Sequence, residues 1–279
     1  MKKTIEEIID GLVSDIKIKD KKILKVFEKN NDVASCNYVS RTTGVVSGIK
    51  YSQYFYKKLS NKISFTILKE DGEFVNRGDV IAVITGPVNE ILKGEKIGLE
   101  FVRVSSGISS ITKKYVQELV GTNANIIFSE YAIPGLEELC INAFRLGGGT
   151  FFEENKKYVL TRNIRTRFDS YDEAIEKIKE IDSSLKAVIE IENEDDFIEA
   201  MHSKCDSIRV CSNKIDFLKK ISTLNSTNKP LEALGNYELK AIRGLTKLGY
   251  KNLLIPALTD EANALSIDLC FYKRVKKGK

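Results

Sequence analysis

Six short apolar segments alternate with helical patterns through the second half of this chain: Asn125-Ile126-Ile127-Phe128, Tyr158-Val159-Leu160, Ala187-Val188-Ile189-Glu190-Ile191, Ser207-Ile208-Arg209-Val210, Leu231-Glu232-Ala233-Leu234 and Asn252-Leu253-Leu254-Ile255. That rhythm restricts the fold more than any other feature. Apolar runs separated by helices and brief loops require parallel strands with right-handed crossovers, hence an α/β barrel or an open doubly wound sheet. Ser170 with Glu173 starts one helix, whose apolar face is Ala174, Ile175, Ile178 and Ile181, and Tyr237 to Leu248 makes another. Ligands of such folds sit at the C-terminal ends of the strands. This directs attention to Ser129 and Glu130, Thr161 to Asn163, Glu190 and Glu192, Cys211 and Ser212, Glu232 to Asn236, and Pro256 to Asp260.

The first third of the chain has a different pattern. Thr4 with Glu7 forms a capping box ahead of the stripe Ile5, Ile8, Ile9, Leu12 and Val13, which predicts an amphipathic helix. From Ala34 to Leu99, alternating runs such as Ile63 to Leu68 and Val80 to Ile84 are separated by Asp71-Gly72, Arg77-Gly78 and Gly86-Pro87. Short alternating strands between turn signals predict an antiparallel sheet with helices, a domain of its own.

Composition narrows the setting. With 42% hydrophobic residues, 30% charged, 4 prolines and 18 glycines, the chain is globular rather than disordered or fibrous. The balance of 44 Lys+Arg against 39 Asp+Glu is mildly basic, but the cations are scattered and matched by acids, so no nucleic acid is expected as a partner. No stretch approaches the roughly 20 apolar residues of a membrane span, and acids interrupt the start, so neither membrane nor secretion signal is expected. Five cysteines, odd in number and without a CxxC pair, read as reduced thiols of a cytoplasmic protein, in its core or, alternatively, at a catalytic site. A single histidine, His202, excludes His-rich metal sites and multi-histidine relays.

The strand-end residues Glu130, Arg162, Glu190, Glu192, Glu232 and Asp260 are net acidic, which suits a metal-bound or cationic ligand better than a bare polyanion; Glu190 and Glu232 are the candidate Mg²⁺ ligands. Gly235-Asn236, between a strand and a helix, reads either as a phosphate cradle or as a plain turn. Gly147-Gly148-Gly149 reads either as a helix C-cap with a flexible turn or as backbone that must pass close to something. Neither GxGxxG nor GxxxxGK[ST] occurs.

Taken in order, several segments resemble the quinolinate phosphoribosyltransferases, also called nicotinate-nucleotide pyrophosphorylases. Thr43 to Ile49 is similar to that family's "GVVAGL", Glu70-Asp71-Gly72 with Arg77-Gly78-Asp79 to its "DG…v..G" hairpin, and Gly94 to Phe101 to its "AERTaLNf". Ser105 to Ser110 resembles "LSGIAT", Pro134-Gly135-Leu136 the end of "DTRKTtPGlR", Ala143 to Gly149, with Arg145, "AVr.GGG", Ala257-Leu258-Thr259 "GaLTHS", and Ser266 to Leu269 "lDisL". The resemblance implies an N-terminal α/β sandwich, residues 1–106 joined by the C-terminal segment 269–279, beside an open α/β barrel, residues 107–268. It also implies a homodimer, a small-molecule anion as ligand, no covalently bound cofactor, and Mg²⁺ accompanying phosphoribosyl pyrophosphate. The implied reaction condenses quinolinate with phosphoribosyl pyrophosphate and releases pyrophosphate and CO₂.

Both substrates of that reaction are polyanions, which need a ring of cations. Carried over position by position, the family's Arg and Lys of "DTRKT" fall on Glu130 and Tyr131, the His and Arg of "NHR" on Phe152 and Glu153, and the Lys of "IKDNH" on Thr161. The second Glu of "EVEV" remains as Glu190, the Asp of "LLDN" is Cys211, "ESSGG" reads Glu232 to Asn236, and the Arg of "ERT", which in the family reaches the neighbouring subunit's site, is Lys96. Losing one bidentate charge pair in a desolvated pocket costs about 2–5 kcal/mol, and a micromolar complex has roughly 8 kcal/mol in total. The expectation is a family member whose quinolinate activity is absent or much reduced. Two alternatives stand beside it. One is a phosphoribosyltransferase for a less anionic acceptor, with Tyr131, Phe151 and Phe152 as a stacking pocket or merely as loop packing. The other is a non-catalytic dimeric binding or scaffolding protein. Arg162, Arg165 and Arg167 lie just past Thr161 and are read either as compensating charge for the lost lysine or, for Arg165 and Arg167, as solvated loop residues, the expected case.

Overall fold

The structure, a computed structural model, describes residues 4–18, 32–151 and 157–274. Packing divides the chain into two compact units, one of Met1–Lys113, Ala132–Gly148 and Leu258–Lys279, the other of Lys114–Tyr131 and Gly149–Ala257. This partition differs from the expected 1–106 and 107–268, because 107–113, 132–148 and 258–268 pack with the N-terminal residues.

The first unit is built on a four-stranded antiparallel sheet in the order β12-β1-β5-β3, formed by β1 (Val33–Ser40), β3 (Ser64–Ile67), β5 (Val80–Pro87) and β12 (Ile267–Arg274). Two short strands, β2 (Gly44–Val45) and β4 (Phe74–Val75), pair separately. The helix α1 (Ile5–Ile18) starts at the predicted capping box: Thr4 Oγ1 accepts from the Glu7 backbone N–H at 3.2 Å, and Glu7 Oε2 accepts from the Thr4 N–H at 3.0 Å. Helix α2 (Ile49–Leu59) buries Ile49, Phe55, Tyr56 and Leu59.

The long helix α3 (Val88–Glu118) explains the unit's composition. Its small residues let backbone approach: a Cβ on Gly107 would lie 2.3 Å from the Asn263 carbonyl oxygen, and one on Gly98 would lie 2.5 Å from the Tyr56 ring. Serines on the same helix bond to the chain that crosses it, Ser106 Oγ accepting from the Ser47 N–H at 2.9 Å and Ser110 Oγ from the Val45 N–H at 2.8 Å. Helix α4 (Glu137–Leu146) ends against it too. A Cβ on Gly147 would lie 2.6 Å from the Ser109 carbonyl oxygen, while Gly148 has φ +91°. The glycine triplet therefore serves both readings, a left-handed turn and a close approach, and what it approaches is this chain's own helix.

The second unit is a curled, six-stranded parallel half-barrel in the order β6-β11-β10-β9-β8-β7. Its strands are β6 (Asn125–Ile127), β7 (Lys157–Leu160), β8 (Lys186–Ile191), β9 (Ser207–Cys211), β10 (Leu231–Leu234) and β11 (Tyr250–Leu254), matching all six predicted segments within a few residues. Helices α5 (Arg162–Arg165), α6 (Tyr171–Ile181), α7 (Glu194–His202), α8 (Ile215–Leu224) and α9 (Ile242–Lys247) connect them. As predicted, Ser170 Oγ caps α6, accepting from the Glu173 N–H at 3.1 Å. The predicted helix from Tyr237 to Leu248 is shorter, a 3₁₀ turn at Leu239–Ala241 leading into α9. Tyr237 is held out of it by its hydroxyl, which donates to the Ser212 carbonyl at 2.9 Å. One sheet face is continuously apolar, with Ile126, Ile189, Ile191, Ile208, Val210, Ala233 and Leu253 all buried.

Two glycine substitutions separate close packing from helix propensity. Gly107→Ala is expected to destabilise the protein by about 1–3 kcal/mol, since backbone rather than a flexible side chain opposes the new Cβ. Gly11→Ala in α1, where nothing lies within 4 Å, should stabilise it by about 0.5–1 kcal/mol. Thermal unfolding of the two variants should shift in opposite directions.

Candidate active site

The second unit's other sheet face carries charge. In the strand register Glu190 lies opposite Arg209, Arg209 opposite Glu232, Glu232 opposite Asn252 and Asn252 opposite Asn125, so one polar row crosses five neighbouring strands. The side chains meet accordingly. Arg209 Nε donates to Glu232 Oε2 at 3.0 Å and its Nη1 to Glu190 Oε1 at 3.2 Å. Asn252 Nδ2 donates to Glu232 Oε1 at 3.2 Å, and Lys157 Nζ lies 3.9 Å from the same oxygen. The Arg209 side chain is 2% exposed and that of Glu232 6%, whereas Glu190 keeps 20%. The Arg209 Nη2 group is buried with no hydrogen-bond partner.

The electrostatics of this row are coupled. Burial lowers the pKa of the Lys157 ammonium, Glu232 and Glu130 oppose that shift, and Arg209 adds to it; the net direction is downward. Burial also works against the Arg209 charge, but the attraction of Glu232, Glu190 and Glu130 prevails and its pKa is raised. Beyond the row, at the strand end, burial and then the Glu190 carboxylate push the Cys211 thiol up to about 12, so it is no thiolate nucleophile at neutral pH.

The predicted site residues divide by location. Glu190, Glu232 and, electrostatically, Glu130 are gathered around Arg209. Glu130 has φ +68°, a left-handed conformation that costs a residue with a Cβ of order 1–3 kcal/mol, and its neighbour Ser129 keeps a buried hydroxyl without a hydrogen-bond partner. Tyr131 is 53% exposed. Thr161 is the N-cap of α5, its hydroxyl accepting from the Ile164 N–H, and Arg162 forms an exposed pair with Glu192 at 3.9 Å. Phe151 packs edge-on against Phe128 with ring centres 5.7 Å apart, the packing reading of that aromatic, while Phe152 and Glu153 lie outside the described residues. Lys96 on α3, Arg145 on α4, and the buried Leu258 and Thr259 belong to the first unit.

Three sequence expectations change in the light of these contacts. The Gly235-Asn236 loop is a turn rather than a phosphate cradle, because its N–H groups are spent internally: Gly235 donates to the Leu254 carbonyl at 3.0 Å and Asn236 to Asn213 Oδ1 at 2.8 Å. The Ala257 N–H is likewise donated, to Asn236 Oδ1 at 3.0 Å. Arg165 is no solvated loop residue: it lies in α5, its Nη2 donates to both carboxylate oxygens of Glu199 at 3.0 and 3.1 Å, and it stacks on Tyr171. Finally, Glu190 and Glu232 do not fit the divalent ion expected of them, since a guanidinium already stands between the two carboxylates. Among the described residues no group of three or more His, Cys, Asp or Glu is placed to hold a metal ion.

Sequence reasoning placed Arg209 on a strand but gave it no role, and Lys157 was missed. For three members of the row the signal was available in parity: Glu190, Arg209 and Glu232 each stand between two apolar neighbours on buried strands, which places them together on the face opposite the helices, whereas Lys157 follows Lys156 and carries no such pattern.

Comparison with known proteins agrees with this architecture. Residues 21–106 match the quinolinate phosphoribosyl transferase N-terminal domain and residues 108–270 the C-terminal domain. A Bacillus subtilis protein described as a probable nicotinate-nucleotide pyrophosphorylase (carboxylating) is 25% identical over 238 residues, 83% of this chain and 81% of that one. The crystal structure of the nicotinate-nucleotide pyrophosphorylase from Ehrlichia chaffeensis has a TM-score of 0.86 at 22% identity, covering 98% of this chain and 100% of that one. The corresponding protein of Francisella tularensis gives 0.83 at 21% identity, with 97% and 98% covered. In sequence and in fold, the chain belongs to the quinolinate phosphoribosyl transferase family.

Proposed function

We propose that this family member carries out quinolinate phosphoribosyl transfer very slowly or not at all. The carrying observation is the charge of the half-barrel interior, where three carboxylates, Glu130, Glu190 and Glu232, outnumber two cations, Arg209 and Lys157. Arg209 is committed to two of those carboxylates, and Thr161 and Tyr131 bring no positive charge where the family pattern has lysine. A dicarboxylate entering such a site sheds its hydration without gaining the bidentate pairs that replace it. Calorimetry with quinolinate, and assay of nicotinate mononucleotide with phosphoribosyl pyrophosphate and Mg²⁺ supplied, should give no micromolar binding and no product. Clear binding or turnover would overturn this reading.

If missing charge is the cause, putting it back should be visible. The double variant E130R/T161K is expected to bind quinolinate at least about tenfold more tightly than the parent, the equivalent of ~1.4 kcal/mol. Loss of the Thr161 cap should cost about 1 kcal/mol of stability, which thermal unfolding reads separately.

The same net acidity favours, as a second reading, an acceptor with fewer negative groups than quinolinate. A thermal-shift screen of nucleobases, sugar phosphates and aromatic acids tests it; a ligand at about 100 times its Kd adds roughly 2.7 kcal/mol, and silence across the panel would rule the reading out.

We further propose that the chain works as a homodimer in the cytoplasm. Supporting self-association is an apolar concavity of roughly 250 Å³ in the first unit, lined by Leu12, Ile97, Phe101, Val104, Ile133 and Leu136 with Lys96 alongside. The cytoplasmic assignment is supported by Cys36, Cys140 and Cys205, which are buried free thiols, and no described helix is long and apolar enough to cross a membrane. Light scattering should give twice the 31.4 kDa chain mass, and a monomer would refute the dimer.

A further inference from the structure

We infer that Arg209 is a built-in cation of the half-barrel, taking the place of a divalent metal ion between Glu190 and Glu232. The inference stands whether or not the chain transfers a phosphoribosyl group, because it concerns only the cation these carboxylates already hold.

The geometry is that of a ligated ion. Two carboxylates on strands either side of β9 converge on one positive group, with Glu232 at 3.0 Å and Glu190 at 3.2 Å from different guanidinium nitrogens. Glu232 is fixed from its other oxygen by Asn252, as a metal-binding carboxylate is fixed by an outer hydrogen bond. Lys157 lies 3.9 Å away and adds positive charge, which opposes a further cation. A divalent ion would have to displace a guanidinium that is 2% exposed, and Arg209 is anchored through its own strand and cannot leave.

The exchange changes what the site can recognise. A metal ion accepts several ligand oxygens at once and chelates a diphosphate, whereas a guanidinium offers directional N–H groups. The Nε N–H and one N–H of Nη1 are used by the two carboxylates, while Nη2 is buried without a hydrogen-bond partner. With a guanidinium in place of a metal ion, the two carboxylates offer no open coordination position to a diphosphate.

The test is a titration of the full chain with Mn²⁺, read by electron paramagnetic resonance, and with pyrophosphate in the presence and absence of Mg²⁺, read by calorimetry. The unaltered protein should show no saturable Mn²⁺ site and no Mg²⁺-dependent pyrophosphate binding. Saturable Mn²⁺ binding that E232Q abolishes would overturn the inference. In R209M the two carboxylates lose their cation, so Mn²⁺ should now bind and raise the melting temperature by several degrees; a folded R209M that gains no Mn²⁺ affinity would also overturn it. Should R209M fail to fold alone, recovery of its circular dichroism and melting transition in Mn²⁺ but not in Na⁺ supports the exchange. Failure to recover in either ion refutes it.

Discussion

A guanidinium withdrawn from water survives only if its charge is answered in place, and Arg209 makes that demand at the centre of the half-barrel. Glu232 and Glu190 answer it from the strands on either side, so β8, β9 and β10 must keep a register that brings the three side chains level. Breaking such a buried set by removing one partner costs about 3–5 kcal/mol, because what remains is a charge with neither water nor counter-ion. The sheet's apolar face holds its helices and would tolerate many combinations of Ile, Val and Leu, but the polar row tolerates few.

The same ion cluster governs what the site can do. Arg209 is paired with Glu190 and Glu232, and the strand-end residues add Glu130 in a left-handed conformation rather than a positive group, so the balance stays acidic. A site built for two polyanions must hold unspent cations before the ligand arrives, since desolvation is paid on entry. Family membership settles the architecture, and the charges lining the interior bear on the chemistry.

Much of the framework was legible in the residues. The six parallel strands follow from short apolar runs between helical patterns, the capping boxes at Thr4 and Ser170 form as their spacing requires, and the antiparallel sheet of the first unit follows from alternation between turn glycines. These are local signals, each contained within a few residues. What local pattern left open or misplaced depended on distant partners. Gly147 needed the carbonyl of Ser109, the turn at Gly235 needed Asn213 and Leu254, Arg165 needed Glu199, and the boundary between units needed α3 to collect 132–148 against its small residues.

By itself the sequence determined the element order, the parallel and antiparallel halves, and which charges occupy the strand ends, because periodicity and residue type act over one or two turns of chain. Only the tertiary structure decided where Arg209 goes. Nothing local distinguishes an arginine on a strand that snorkels to water from one that closes a buried ion pair with glutamates 19 residues before it and 23 after it. That choice is made by strand register, which brings Glu190, Arg209 and Glu232 to one height on one face, and it turned two apparent metal ligands into the partners of the protein's own cation.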